Sequence, residues 1–478
     1  MSQDVLDGWE TVIGLEVHCE LATTTKLFCG CPNLFGDEPN TNVCPVCLGL
    51  PGSLPVLNDK AVELAVRLGL ALHCTVKPSV FSRKNYFYPD MPKDYQVTQY
   101  DLPTNLDGHL ELPSGEVVGI ERAHIEEDTG KNSHMGGGGG GRIHGADYSL
   151  IDYNRAGVPL VEIVSRPDLR SAEDARQYVA ELRSILLAID ASDAKMEEGS
   201  MRVDANVSVH RPGEPLGTRT ETKNLNSLRS LGRAIEYEAR RQVELLTAGE
   251  RVKQETRHWD EDAGRTRAGR SKEEAEDYRY FPEPDLVPLD PEPEWLERMV
   301  ASLPPLPADR RAALGTAAGV GAGGGGVALA VQRDLDELAL AAIAAGGDPG
   351  RVLTHVEHNL AVDGANALDP KAFAELTRME VSGALTATQA KAVLAEMVTS
   401  GGDPAAIAAE KGYEAMAASD LEAVVDETIA ANPAIWDKLV GGDGKAMGAL
   451  VGQVMKATQG KADGKTVNTI IQQRLAAG

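Results

Sequence analysis

The chain has 478 residues, more than one hydrophobic core usually supports, and its 42% apolar and 25% charged content excludes fibrous and wholly disordered classes. A formal net charge of -25 excludes a surface uniformly attractive to nucleic acid, so RNA contact must use local basic patches. The acidic start MSQDVLDGWE lacks the features of a signal peptide, and no stretch is long and apolar enough to span a bilayer; the expectation is a cytoplasmic protein with no membrane partner.

The first element is a strand. In TVIGLEVHCEL the apolar residues Ile13, Leu15, Val17 and Cys19 alternate with Glu16, His18 and Glu20, which places chemistry-capable groups on one face. FCGCPNLFGDEPNTNVCPVCLGLPG follows at residues 28–52, with four of the six cysteines. Cys29 and Cys31 form a C-x-C pair and Cys44 and Cys47 a C-x2-C pair, separated by twelve residues. Where thiols stay reduced, this pattern favours a Zn²⁺ site over disulfides. Four thiolates fill a tetrahedral shell and leave no open position, so such a zinc is structural. Cys19 and Cys74 stand alone and should pack in the core.

Carboxylates then recur in RAHIEEDTGK (122–131), PLVEIVSRPD (159–168), MEEGSMRVDAN (196–206) and RTETKNLNS (219–227). Hard oxygen ligands at strands and strand ends suit Mg²⁺, which bridges to substrate phosphates. Arg83, Lys84, Lys195, Arg202 and Lys223 are the candidate phosphate contacts. Between the first two motifs, Gly136–Gly141 reads as a mobile loop, because each glycine loses maximal backbone entropy on ordering. SMRVDANVSVH reads as a second strand with Met201, Val203, Ala205, Val207 and Val209 inward and Arg202, Asp204, Asn206 and Ser208 outward.

Helices punctuate these strands. Ser171 caps one, with Ala175, Tyr178, Val179, Leu182, Leu186 and Ile189 on its core face. Another follows Asn226, with Leu228, Leu231, Ile235 and Val243 inward and the run EARRQ (238–242) mostly solvated. Near Leu289 prolines cluster and Ala-rich helical sequence begins, with a further break at 400–406. The expected fold class is α+β: a cradle domain with an antiparallel or mixed sheet and helices over 1–291, an all-α domain over 292–402, and a small α-helical tail over 403–478. In that tail Lys438, Lys445, Lys456, Lys461, Lys465 and Arg474 outnumber Asp443 and Asp463, marking the RNA-facing candidate. There is no G-x-x-x-x-G-K-[ST] and no G-x-S-x-G, which excludes a P-loop and disfavours acyl-enzyme hydrolysis.

WETVIGLEVHCEL, FSRKNYFYPDMPKDYQVTQYD, HIEEDTGK, NRAGVPLVEIVSRPD, KMEEGSMRVDANVS, KNLNS and DYRYFPEPDLVP, taken together, closely resemble the B subunit of the bacterial aspartyl/glutamyl-tRNA(Asn/Gln) amidotransferases. The resemblance is dense over the first 290 residues and continues in order and length beyond. It implies a ligase subunit that binds tRNA misacylated with glutamate or aspartate, uses ATP to phosphorylate the side-chain carboxylate, and lets ammonia displace the phosphate. It implies two partners, an amidase (the A subunit) that supplies ammonia and a small protein (the C subunit) that braces the pair.

Carried over by position, the resemblance puts His18, Glu127 and Glu162 near magnesium, with Glu16, Glu126, Asp204, Asn206, Glu221 and Lys223 lining the same cradle. Strand alternation instead groups Glu126 with His124 and Asp128, so either glutamate stands as the ligand. Some family members carry cysteines matching Cys29, Cys31, Cys44 and Cys47, and this chain belongs with them. The hexaglycine departs from the family pattern. The rival reading is a noncatalytic RNA-binding and assembly subunit, in which the polar strand faces are structural.

Overall fold

The computed structural model describes residues 5–136, 146–271, 278–413, 418–458, 462 and 464–477. The alternation of TVIGLEVHCEL becomes strand β1 (Glu10–Glu20), which buries Ile13, Leu15, Val17 and Cys19 and leaves Glu16, His18 and Glu20 half-buried on the other face. After it come α1 (Asp59–Ala71), β2 (Thr75–Val76), β3 (Ser82–Asn85), β4 (Tyr95–Thr98), β5 (Asn105–Glu111), β6 (Val117–Glu127), β7 (Lys131–Met135), β8 (Tyr148–Asp152) and β9 (Pro159–Ser165). The cradle continues through α2 (Ala172–Ala188), β10 (Met201–His210), β11 (Thr220–Leu225), α3 (Leu228–Thr247), β12 (Glu255–Asp260), β13 (Arg265–Ser271), β14 (Phe281–Pro282) and α4 (Pro293–Ala301).

Twelve of these strands form one mixed sheet in the order β13-β12-β11-β10-β1-β9-β6-β4-β3-β14, with β5 beside β6 and β2 beside β5. All its pairs are antiparallel except β11–β12. β7 and β8 form a separate hairpin. Of the hexaglycine, Gly136 follows that hairpin's first strand with φ +80, and Gly137–Gly141 lie outside the described residues. Helices line the apolar face of the sheet: α1 packs on β6 and α3 on β10, with α2 against α3. Cys19 and Cys74 both lie in this core.

The capping expectation holds at α2, where the Ser171 side chain accepts the Asp174 N–H at 3.0 Å. The EARRQ run of α3 departs from expectation. Glu238, Ala239 and Gln242 are buried, because they continue the face begun by Leu231 and Ile235 that lies on the sheet. Glu238 is a paired buried charge: Thr220 Oγ1 donates to it at 2.7 Å, Thr266 Oγ1 at 3.0 Å and Arg241 Nε at 3.0 Å, with Arg257 Nε 3.4 Å away. Gln242 Nε2 donates to Val207 O and to Thr220 Oγ1, each at 2.9 Å, stitching the helix to β10 and β11. A charged string in sequence can therefore be a buried network when each member has a partner.

The described chain divides into two compact units, Met1–Pro307 and Ala308–Gly478. The first runs past the proline cluster because α4 packs on α1, Arg67 Nη1 donates to Ser302 Oγ at 3.3 Å, and Leu303 and Leu306 close on the main core. The second unit is helical, with one apolar cluster from Leu314 to Ala408 and another from Leu421 to Ile471. No described helix is long and apolar enough to cross a membrane. Arg474 is held by Asp426 and Glu422, and Lys461 lies outside the described residues.

Burial works to raise the Glu238 carboxyl, but the Arg241 and Thr220 hydrogen bonds and the Arg257 charge outweigh it and hold the group below the ordinary carboxylate range. Glu238→Ala leaves those partners unpaired and is expected to cost about 3–5 kcal/mol in chemical unfolding at pH 7. With a depressed folded pKa, the native contribution is complete above the unfolded value of about 4.3 and is lost as pH falls through the lower folded one. The gap between wild type and variant should therefore narrow in acid.

Candidate active site and cysteine centre

Antiparallel pairing turns single-strand alternation into a charged surface. His18 on β1 stands opposite Arg202 of β10 on one side and Glu162 of β9 on the other, and Glu162 stands opposite His124 of β6. Two residues along, Glu16 pairs with Asp204, and beyond it Asn206 pairs with Glu221 of β11. Directly paired residues share a face, so these side chains gather on the side away from the helices.

Two groups result. His18 Nε2 lies 3.7 Å from Glu126 Oε1 and 3.7 Å from Glu162 Oε2, and one potential ligand atom from each of the three lies within 4.8 Å of the others. Glu16, Asp204 and Glu221 form a second trio by the same measure. Burial, then repulsion from Glu162, raises Glu126 to about 7. Glu16 is raised by burial and by the charges of Glu162 and Glu221. At Glu162 burial also works upward, but His124, His18 and Arg122 outweigh it and leave the group lowered. His124 is fully buried and depressed to about 4 by that burial, so it is neutral at pH 7. A face that crowds carboxylates until their titration is displaced is one that a divalent cation would relieve.

The chain supplies some cations itself. Lys223 Nζ sits 2.6 Å from Asp204 and 3.0 Å from Glu221. A bulge makes this possible: the register with β10 shifts between Val203 and Ala205, and Asn224 takes φ +69 with its amide donating to Trp259 O at 3.0 Å. Asn206 Nδ2 donates to Glu16 Oε1 at 2.9 Å, and Thr256 Oγ1 to Glu221 Oε2 at 2.8 Å.

The remaining expected residues divide between the two faces of the sheet and the loops. Glu127 lies on the opposite face from the trio: Lys93 Nζ is 2.6 Å from its oxygens and Val97 N–H donates to it at 3.0 Å. Alternation along β6 sends it there, so Glu126 joins His18 and Glu162 and Glu127 does not. Arg83 is paired with Glu283 at 2.6 Å, while Lys84, on the Glu126 face through the Lys84–Gln96 and Thr98–Glu126 registers, adds positive charge near Glu162. Lys195 pairs with Glu198 at 3.0 Å and Asp193 at 3.8 Å. Arg202 donates to Asp128 at 2.9 Å, and Arg155 lies 3.3 Å from the same oxygen. Lys93 and Arg155 carry no local signal, since their partners lie far along the chain; Arg122, 3.6 Å from Glu162, could have been found by extending the β6 alternation upstream.

A family model described as the GatB/GatE catalytic domain matches residues 11–297, and one described as the GatB domain matches 352–475. The curated aspartyl/glutamyl-tRNA(Asn/Gln) amidotransferase B subunit of Salinispora arenicola is 51% identical over 99% of this chain and 98% of its own length. The proteins of that name from Frankia casuarinae and Nocardia farcinica are 50% and 49% identical, covering 99% and 98% of this chain and 97% and 96% of their own. The chain belongs to the amidotransferase B-subunit family.

In this B-subunit family member the four cysteines converge as their spacing anticipates. Cys29, Cys31, Cys44 and Cys47 each offer a sulfur within 4.8 Å of the other three, and no two are joined as a disulfide. Cys44 N–H donates to Cys47 Sγ at 3.1 Å. The thiols share protons unequally: a hydrogen bond from Cys29 pulls Cys47 down to about 5, and Cys29 is pushed up in return. Four soft sulfur donors gathered this closely, with Cys47 already favoured as a thiolate, fit a closed metal site.

The loop is tied to the charged face through backbone. Leu27 N–H donates to Gly157 O at 2.9 Å and Gly157 N–H to Asp128 O at 3.0 Å, while Asn40 and Asn42 N–H donate to Asp152 and Asn154 at 3.0 and 2.8 Å. Cys47→Ser should lower bound metal per chain by at least half in elemental analysis, with a lower thermal midpoint. Unchanged metal content would rule out the cysteine centre as a metal site.

Proposed function

We propose that this chain is the B subunit of a glutamine-hydrolysing, ATP-dependent tRNA amidotransferase, a ligase that forms a C–N bond on tRNA misacylated with glutamate or aspartate. The observation that carries this is the convergence of His18, Glu126 and Glu162, and of Glu16, Asp204 and Glu221, on one face of one sheet. A side-chain carboxylate is a poor electrophile. If its oxygen attacks the γ-phosphorus of ATP and ADP leaves, the resulting acyl phosphate has a good leaving group; ammonia then attacks the carbonyl carbon and phosphate departs, leaving the amide. Phosphoryl transfer of this kind needs mainly positioning and charge neutralisation.

In this reading His18, Glu126 and Glu162 hold Mg²⁺, with the second trio available to another divalent ion brought by the nucleotide. Bound there, magnesium would neutralise phosphate charge in the transition state. Lys223 and Asn206 hold the Asp204, Glu221 and Glu16 carboxylates in place, and Lys84 lends positive charge at the edge. The cysteine centre holds a structural Zn²⁺ that fixes the chain leaving β1. The amidase partner, the A subunit, supplies ammonia, and the small C subunit holds the pair together. The 403–478 tail, with Lys438, Lys445 and Lys456, contacts tRNA.

In the reconstituted complex, Glu16→Ala and His18→Ala should each lower ATP cleavage dependent on charged tRNA by about a hundredfold or more, at unchanged tRNA affinity. Retained cleavage in folded double variants would leave the assembly role as the reading. Manganese titration gives a second check: Glu126→Gln should weaken divalent-ion affinity by roughly tenfold or more, and Glu127→Gln should leave it unchanged.

A further inference from the structure

In a chain with only 4% aromatic residues, tyrosines cluster at one edge of the charged face. Tyr100 and Tyr280 stack with ring centroids 5.3 Å apart at 18°, and Tyr278 meets Tyr280 edge-on at 6.1 Å. None of the three belongs to the hydrophobic core, and Tyr100 is 45% exposed. Cations accompany them: Arg122 Cζ lies 4.9 Å from the Tyr100 centroid and Lys84 Nζ 4.6 Å from that of Tyr278.

The cluster is held rigidly. Gln99, next to Tyr100, exchanges backbone and side-chain hydrogen bonds with Ile125, donating its N–H to Ile125 O at 3.0 Å and accepting the Ile125 N–H at 2.9 Å. The Tyr280 segment is pinned by the Phe281–Arg83 pairing and by Asn85, whose amide donates to Tyr278 O at 2.9 Å. It also adjoins the His18, Glu126 and Glu162 trio. Arg122 Nη2 lies 3.6 Å from Glu162 Oε1, and His124, edge-on to Tyr100 at 6.2 Å, lies 3.6 Å from Glu162 Oε2. Around Tyr100 the buried Gln99 Nε2, Arg122 Nε and both ring nitrogens of His124 have no hydrogen-bond partner among the described residues, a concentration of unmet polar capacity that a bound polar molecule or its waters would satisfy.

Bases stack on aromatic rings and guanidinium planes because every base offers a π-face. We infer that Tyr100 and Tyr280 form a stacking platform for the adenine ring of an adenosine-bearing substrate, placing its reactive group at the His18, Glu126 and Glu162 trio. Two molecules in the proposed reaction carry that group, ATP and the terminal adenosine of the charged tRNA. The inference rests on the ligase reading given above.

The test uses the full reconstituted complex carrying Tyr100→Ala, Tyr280→Ala, Tyr100→Phe or Tyr280→Phe. It measures KM for ATP and for charged tRNA, with equilibrium binding of each in parallel. The alanine variants should raise KM and Kd for one substrate by about 5- to 150-fold and leave the other unchanged, and the phenylalanine variants should stay near wild type. The substrate affected identifies the adenosine: a shift for ATP assigns the nucleotide, a shift for tRNA its terminus. Wild-type affinities for both substrates, loss of both together, or phenylalanine variants as impaired as alanine would each overturn the platform. A wild-type complex without ATP cleavage dependent on charged tRNA would instead overturn the ligase reading itself.

Discussion

The cradle depends first on the pairing register of β1, which lies between β10 and β9 near the middle of the sheet. Because side chains alternate with a period of two, a slip of one residue would send His18 and Glu16 into the helix-covered core and Val17 and Leu15 out. The buried row Ile13, Leu15, Val17 and Cys19 opposes that slip, since each of these residues is wholly buried. Ordinary core packing is thus what aims the polar row. The same constraint repeats on β10, whose inward Val203, Ala205 and Val207 fix Arg202, Asp204 and Asn206.

Register alone would gather charge without making it tolerable. The face stays folded because its carboxylates are divided between groups with partners and groups left available. Asp128 is satisfied by Arg202 and Arg155, and Asp204 and Glu221 by Lys223. Glu126 has His18 at 3.7 Å, and burial with repulsion from Glu162 raises its titration. The opposite face solves its own balance separately, with Lys93 on Glu127 and Arg83 on Glu283. Neighbours in sequence therefore have unrelated surroundings: Glu126 lies beside His18 and Glu162, Glu127 in a buried pair with Lys93.

Much of this was readable from sequence where the signal was local. The two polar strand faces, the Ser171 cap, the cysteine centre and the change to helical sequence all follow from periodicity, spacing or composition within a few residues. What was not readable depends on partners far along the chain. Arg83 and Arg202 stand in sequence as candidate phosphate contacts, and nothing near them in the chain announces their carboxylate partners Glu283 and Asp128. EARRQ looked solvated because its charges are visible in one dimension, while the threonines and Arg257 that pair with Glu238 arrive from β11, β12 and β13. Alternation, a local rule, puts Glu126 on the face of His18 and Glu162, where carrying over the family position pointed to Glu127.

The bulge at Lys223 and Asn224 has a consequence for how length variation acts in such a strand. On β11 the helix-facing residues are Thr220, Thr222 and then Leu225, so the alternation changes phase once, at the extra residue. One strand thereby serves two frames: the first half is keyed to Glu221 and the acidic face, the second to the apolar anchor Leu225. Removing a single residue there would merge the frames and force either the core or the charged face to lose its alignment, whereas the same deletion in the loop after Leu225 would alter neither. Position within the pleat, more than the identity of the residue removed, would decide whether a change of length is silent.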